Sequence, residues 1–112
     1  MTGVPIPTCA ECRKRECRNG KDCFAAAERH LDFYGDERLA RMHRAASTVE
    51  ARHYCRATRL QEVALFAKEL GLSKLGLAFC IGLADEAAVV AEVLGRDFSV
   101  VSACCKGSGI PK

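Results

Sequence analysis

Cys9, Cys12, Cys17 and Cys23 fall in the spacing C-x2-C-x4-C-x5-C and constrain this chain more tightly than any other feature. Scarcely an apolar side chain lies between them, so no hydrophobic core can hold the stretch together. Thiolates on a metal centre would. The close Cys9–Cys12 pair grips an ion from two sides, and Cys17 and Cys23 close a tetrahedron over it. The same four thiolates also suit an iron–sulfur cluster. Spacing alone leaves both open.

Arg13, Lys14, Arg15, Arg18 and Lys21 are interleaved with these cysteines. A divalent ion or a cluster held by four thiolates carries about −2 overall, and nearby cations offset it. In a rival reading the segment is a zinc knuckle whose cations meet nucleic-acid phosphate. The missing aromatic stacking partners weigh against that. A solvated, charged loop is compatible with either.

At 112 residues, 49% hydrophobic and 28% charged, the chain reads as one soluble globular domain. Residues 1–8, with two prolines and a glycine, read as a disordered lead-in without the basic start and apolar run of a secretory leader. The longest apolar run, 75–84, is too short to span a bilayer. A cytoplasmic location follows, with no membrane partner. In that reducing compartment eight cysteines point to metal or redox chemistry rather than to disulfides.

The four-cysteine segment occupies 9–24, and 25–112 reads as an α/β domain. Helical character over 25–30 ends before Gly35. A helix is expected over about 36–54, with Leu39, Met42, Ala46 and Val49 as its apolar stripe. A second helix spans about 58–70. Thr58 and Gln61 form a capping box, Leu60, Val63, Ala64, Ala67 and Leu70 its buried face, and Gly71 a left-handed stop. The period then changes. Residues 74–79 read as a strand buried on both faces, as in parallel sheets. A helix over 85–94 uses Ala88, Val89, Val93 and Leu94 as apolar positions, and a second strand covers 98–103. Strand, helix and strand make a right-handed parallel crossover, a Rossmann-like unit whose sheet is incomplete.

Both strands end in cysteine, Cys80 on the first and Cys104 and Cys105 on the second. Ligands of open parallel sheets gather beyond those carboxyl ends, so the three thiols form a second candidate site for a cofactor or redox group. Gly82, Gly107 and Gly109 would let backbone approach a bound group. Simple packing is the alternative, since free cysteine is often buried. Cys55, after the first long helix, either reaches a cluster or fills space. His30, His43 and His53 read as surface or packing residues. No serine–histidine–aspartate grouping is present, and the glycines after Phe79 do not make a dinucleotide loop.

The cysteine-rich start, the F-C-x-G-L run at 79–83 with Glu86 and Ala87 after it, and C-C-K-G-x-G at 104–109 together resemble an uncharacterised bacterial and archaeal family of cysteine-rich metal-binding proteins. The resemblance extends from Cys9 onward. It implies metal binding through Cys9, Cys12, Cys17 and Cys23, and no known substrate or reaction. Members of that family continue into further strand–helix units, so this chain reads as a truncated member or an obligate homo-oligomer. The compact cysteine layout also resembles the N-terminal cluster segment of hybrid-cluster and carbon monoxide dehydrogenase-type proteins.

These readings converge on a metal-binding protein, with an iron–sulfur cluster favoured over zinc. Its second thiol site at the strand ends would serve redox or metal handling, receiving electrons from the cluster or exchanging them with a redox partner protein. The competing reading is a non-enzymatic, zinc-stapled module that recognises a protein or nucleic acid.

Overall fold

A computed structural model describes residues 6–111. The expected lead-in therefore lies mostly outside the described residues. The chain forms two compact units, one ending at Ala40 and the other starting at Arg41. Helices and a two-stranded parallel sheet give a mixed α/β fold with an incomplete sheet.

The first unit is built from short pieces. Single 3-10 turns at Cys9–Glu11 and Glu16–Asn19 precede helix α1 (Ala27–His30), which runs into a further 3-10 turn at Leu31–Gly35. None of these pieces contains a buried residue. Turn chemistry and polar contacts set their shape instead. Gly20, at φ 94°, returns its N–H to the carbonyl of Cys17 at 3.1 Å, as the Asn19–Gly20 pair predicts.

Helix α2 (Glu37–His53) begins where Asp36 Oδ1 accepts from the amide of Leu39 at 3.0 Å. Its buried residues are Ala45 and Val49, with Thr48 half-buried. Leu39, Met42 and Ala46 of the expected stripe are exposed, so only Val49 of that stripe is buried. The guanidinium of Arg41 donates to the carbonyl of Leu70 at 3.1 Å, tying the start of α2 to the end of the next helix.

That helix, α3 (Arg59–Glu69), carries a complete capping box. Gln61 N–H donates to Thr58 Oγ1 at 3.2 Å, and Thr58 N–H donates to Gln61 Oε1 at 2.8 Å. At its other end Gly71, at φ 69°, donates to Lys68 O while Leu72 N–H reaches Ala67 O. These two bonds make a Schellman stop. Val63 is 40% exposed rather than buried. With Ala46, Val49 and Phe66 it lines a hollow of ≈ 210 Å³ between α2 and α3.

Strand β1 (Lys74–Phe79) pairs in parallel with β2 (Ser99–Cys104), from Lys74 opposite Ser99 to Phe79 opposite Cys104. The crossover is a 3-10 turn at Ile81–Leu83 followed by α4 (Ala84–Leu94). The core lies on one side of this sheet. Ala67, Leu94 and Phe98 are buried together, and Leu60, Ala64, Leu75, Val90 and Val100 pack around them.

Two expectations need correction here. β1 is not buried on both faces: Leu75, Leu77 and Phe79 are half-buried, whereas Lys74, Gly76 and Ala78 are exposed. Helices cover only one face, and the alternation that marks it is one of side-chain size more than polarity. In α4 the packed residues are Ala87, Val90, Ala91, Val93 and Leu94, while Ala88 and Val89 face outward. An alanine- and valine-rich helix offers several apolar faces, and the sheet selects the i, i+3, i+4, i+7 set.

The energetic weight of these features differs. Phe98→Ala should destabilise the α/β unit by about 3–5 kcal/mol, as expected for truncating a buried aromatic residue. Thr58→Ala should cost about 1 kcal/mol through loss of the cap. Urea unfolding followed by far-ultraviolet circular dichroism measures both, and equal effects would contradict this core assignment.

Candidate metal centre

All four N-terminal cysteines are exposed. They line a single concavity of ≈ 470 Å³, together with Lys14, Arg15, Lys21 and Phe24 among others. The backbone is shaped around the sulfurs. The Cys9–Glu11 turn closes with Cys12 N–H on Cys9 O at 3.2 Å. Arg15 then adopts φ 48°, a left-handed conformation costly for a residue with a Cβ, and its amide points at Cys12 Sγ at 3.5 Å. Cys23 Sγ donates to Lys21 O at 3.9 Å.

Charge follows the sulfurs. Lys21 Nζ lies 2.6 Å from Glu16 Oε2, and this exposed pair adds little stability. The pKa of Lys21 is raised, first by its hydrogen bond to Glu16 and by the Glu16 charge, then by the neighbouring Cys23 and Cys12. Arg13, Lys14, Arg15 and Arg18 line an adjoining polar groove.

Asp22 fixes the exit from the segment. Its two carboxylate oxygens accept from Ala26 N–H at 2.9 Å and Ala27 N–H at 2.8 Å, across a left-handed Ala25 at φ 48°. Sequence reasoning missed this contact, because Asp22 stands five residues before the first residue of α1 and outside its N-cap position, Ala26.

The four thiols fit a metal centre in chemistry and in sharing one concavity. Among the described residues, however, no three histidine, cysteine, aspartate or glutamate side chains are gathered as an ion site.

At the strand ends the three predicted cysteines divide. Cys104 is half-buried and paired with Phe79, on the helix-covered face. Cys80 and Cys105 are exposed and follow that last pair. Cys105 N–H continues the ladder to Phe79 O at 2.9 Å, and Cys105 Sγ accepts from Ile81 N–H at 3.3 Å. Cys104 Sγ accepts from Lys106 N–H at 3.4 Å. Cys55 stands apart from these groupings, exposed in a left-handed turn at φ 58° just after α2.

Residues 18–112 match a family model described as a protein of unknown function, DUF1847. The chain belongs to the DUF1847 family. A relative from Methanocaldococcus jannaschii, the uncharacterized protein MJ0455, is 38% identical over 105 residues, covering 93% of this chain and 54% of the relative. The chain thus spans about half the length of that curated relative. No solved structure matches it. The family match starts at Arg18, so it includes Cys23, Cys55, Cys80, Cys104 and Cys105 but not Cys9, Cys12 or Cys17. No helix among the described residues is long and apolar enough to cross a membrane.

The Asp22 contacts make a pH prediction. Its carboxyl is held below the ordinary 3.8, mainly by the Ala26 and Ala27 amides. A lowered folded pKa means that the carboxylate's contribution is complete above the unfolded value and is lost as pH falls through the folded one. The amide resonances of Ala26 and Ala27 should therefore titrate together with a midpoint below 3.8, and Asp22→Asn should abolish that titration.

Proposed function

We propose that this chain is a metal-binding protein whose centre is held by Cys9, Cys12, Cys17 and Cys23, and that the centre is an iron–sulfur cluster. The observation that carries the reading is the single concavity lined by all four thiols. A lone zinc ion needs its sulfurs within about 2.3 Å of one point. A cluster spreads the same four ligands over several iron atoms. The Arg15 amide on Cys12 Sγ supplies the kind of N–H···S contact that sets a cluster's potential. Lys21 and the adjoining arginines offset the negative charge of a thiolate-bound centre.

The chain's own residues have distinct parts in this scheme. The four thiolates hold the group, the Cys9–Glu11 and Glu16–Asn19 turns aim them, and Asp22 anchors the departing chain. The group itself would supply one-electron transfer, with a redox protein as the natural partner.

The polar groove of Arg13, Lys14, Arg15 and Arg18 favours one second reading, a zinc-stapled module that binds phosphate-bearing partners. Anaerobic purification followed by metal analysis and absorption spectroscopy separates the two. The cluster reading expects a brown protein with iron and acid-labile sulfide, lost in Cys9→Ser or Cys12→Ser. A colourless protein with one zinc per chain would overturn it. Retention on a nucleic-acid column that weakens steeply with salt would support the second reading.

A further inference from the structure

We propose that Cys80 and Cys105 form a second metal site, a two-thiolate clasp for a soft monovalent cation, with copper(I) as the representative ion. The site shares no residue with the N-terminal centre.

The strand register makes the pair. Phe79 and Cys104 are the last paired positions, so Cys80 and Cys105 come next, each one residue past the end of neighbouring strands, and both are exposed. Both sulfurs lie against the turn that starts α4. Cys105 Sγ is 3.3 Å from Ile81 N, and Cys80 Sγ is 4.0 Å from the point where a Cβ on Gly82 would stand. Adjacent strands run about 4.8 Å apart. Two thiolate–metal bonds, each about 2.3 Å with zinc as the measure, span about 4.6 Å. One ion between the two sulfurs therefore matches the spacing of the strands that carry them.

Ligand number selects the ion. Zinc asks for four donors, and among the described residues no third histidine, cysteine, aspartate or glutamate joins this pair. Cys104 does not serve, because alternation along β2 places it on the helix-covered face, where its sulfur accepts from the Lys106 amide. Soft thiolates select copper(I) over hard cations, and a copper(I) ion is content with two of them. The Ile81 amide keeps Cys105 Sγ turned towards the Cys80 side of the turn. No oxidation or reduction is involved: the two thiols release two protons to solvent and bind one copper(I), leaving a bis-thiolate complex of charge −1.

The test uses the 112-residue chain with Cys9, Cys12, Cys17 and Cys23 all changed to serine, so that the N-terminal thiols do not contribute. Copper(I) is titrated anaerobically against a chromogenic copper(I) chelator. One copper per chain is expected, lost in Cys80→Ser and in Cys105→Ser and kept in Cys104→Ser. X-ray absorption of the loaded protein should show two sulfur neighbours. Copper retained after either Cys80→Ser or Cys105→Ser would overturn the proposal. So would equal loss in Cys104→Ser, or a count of three or four sulfurs. Because the parent variant lacks the first site, the outcome is independent of whether iron, zinc or neither occupies Cys9–Cys23 in the natural chain.

Discussion

Phe98 is buried against Leu94 and Ala67 at the point where α4 hands over to β2, and the order of the α/β unit depends on that contact. Its amide donates back to Leu94 O, and the next residue, Ser99, donates to Ser73 O and starts the pairing with β1. The Phe98 backbone thus closes the turn after α4, its side chain packs with Ala67 of α3 and Leu94 of α4, and the ladder starts at the next residue. The thiol positions inherit that phase, since the face on which each cysteine stands follows from which residue lies opposite Lys74.

The two units are organised by different physics. The α/β unit has a small apolar core, caps at both ends of α3 and a parallel ladder. The N-terminal unit up to Ala40 has no buried side chain in its short helical elements. It is shaped by turns, by two left-handed non-glycine residues and by the Asp22 carboxylate. Backbone strain of that kind persists only where other contacts over-determine it. A bound centre would add four such contacts to a segment that has few.

Much of the fold could be read from residue pattern. The Thr58–Gln61 box, the Gly71 stop and the strand–helix–strand order all stand where local chemistry places them, because each depends on neighbours within a few positions. The faces were less legible. Met42 looked like a core residue and Ala45 did not, yet Ala45 is buried and Met42 exposed, because the face a helix buries is chosen by contacts far away in the chain. In α4 the pattern picked out Val93 and Leu94 correctly and Ala88 and Val89 wrongly, because valine and alanine occur on several sides of the helix. For the candidate sites, spacing grouped Cys9 to Cys23, and the strand reading grouped Cys80, Cys104 and Cys105. Alternation within β2 divides the second group, a distinction that depends on knowing the register.

The adjacent cysteines at 104 and 105 carry a consequence of their own. In a strand, neighbouring side chains point to opposite sides, so a doublet presents one sulfur to each side whatever the phase of pairing. A slip of β2 by one residue would turn most of its side chains to the wrong face, valine for serine and serine for valine. The thiol outside would merely change its number. Sulfur on the open surface is thus the property of this sheet least sensitive to errors of alignment, and a doublet secures it with a single additional residue.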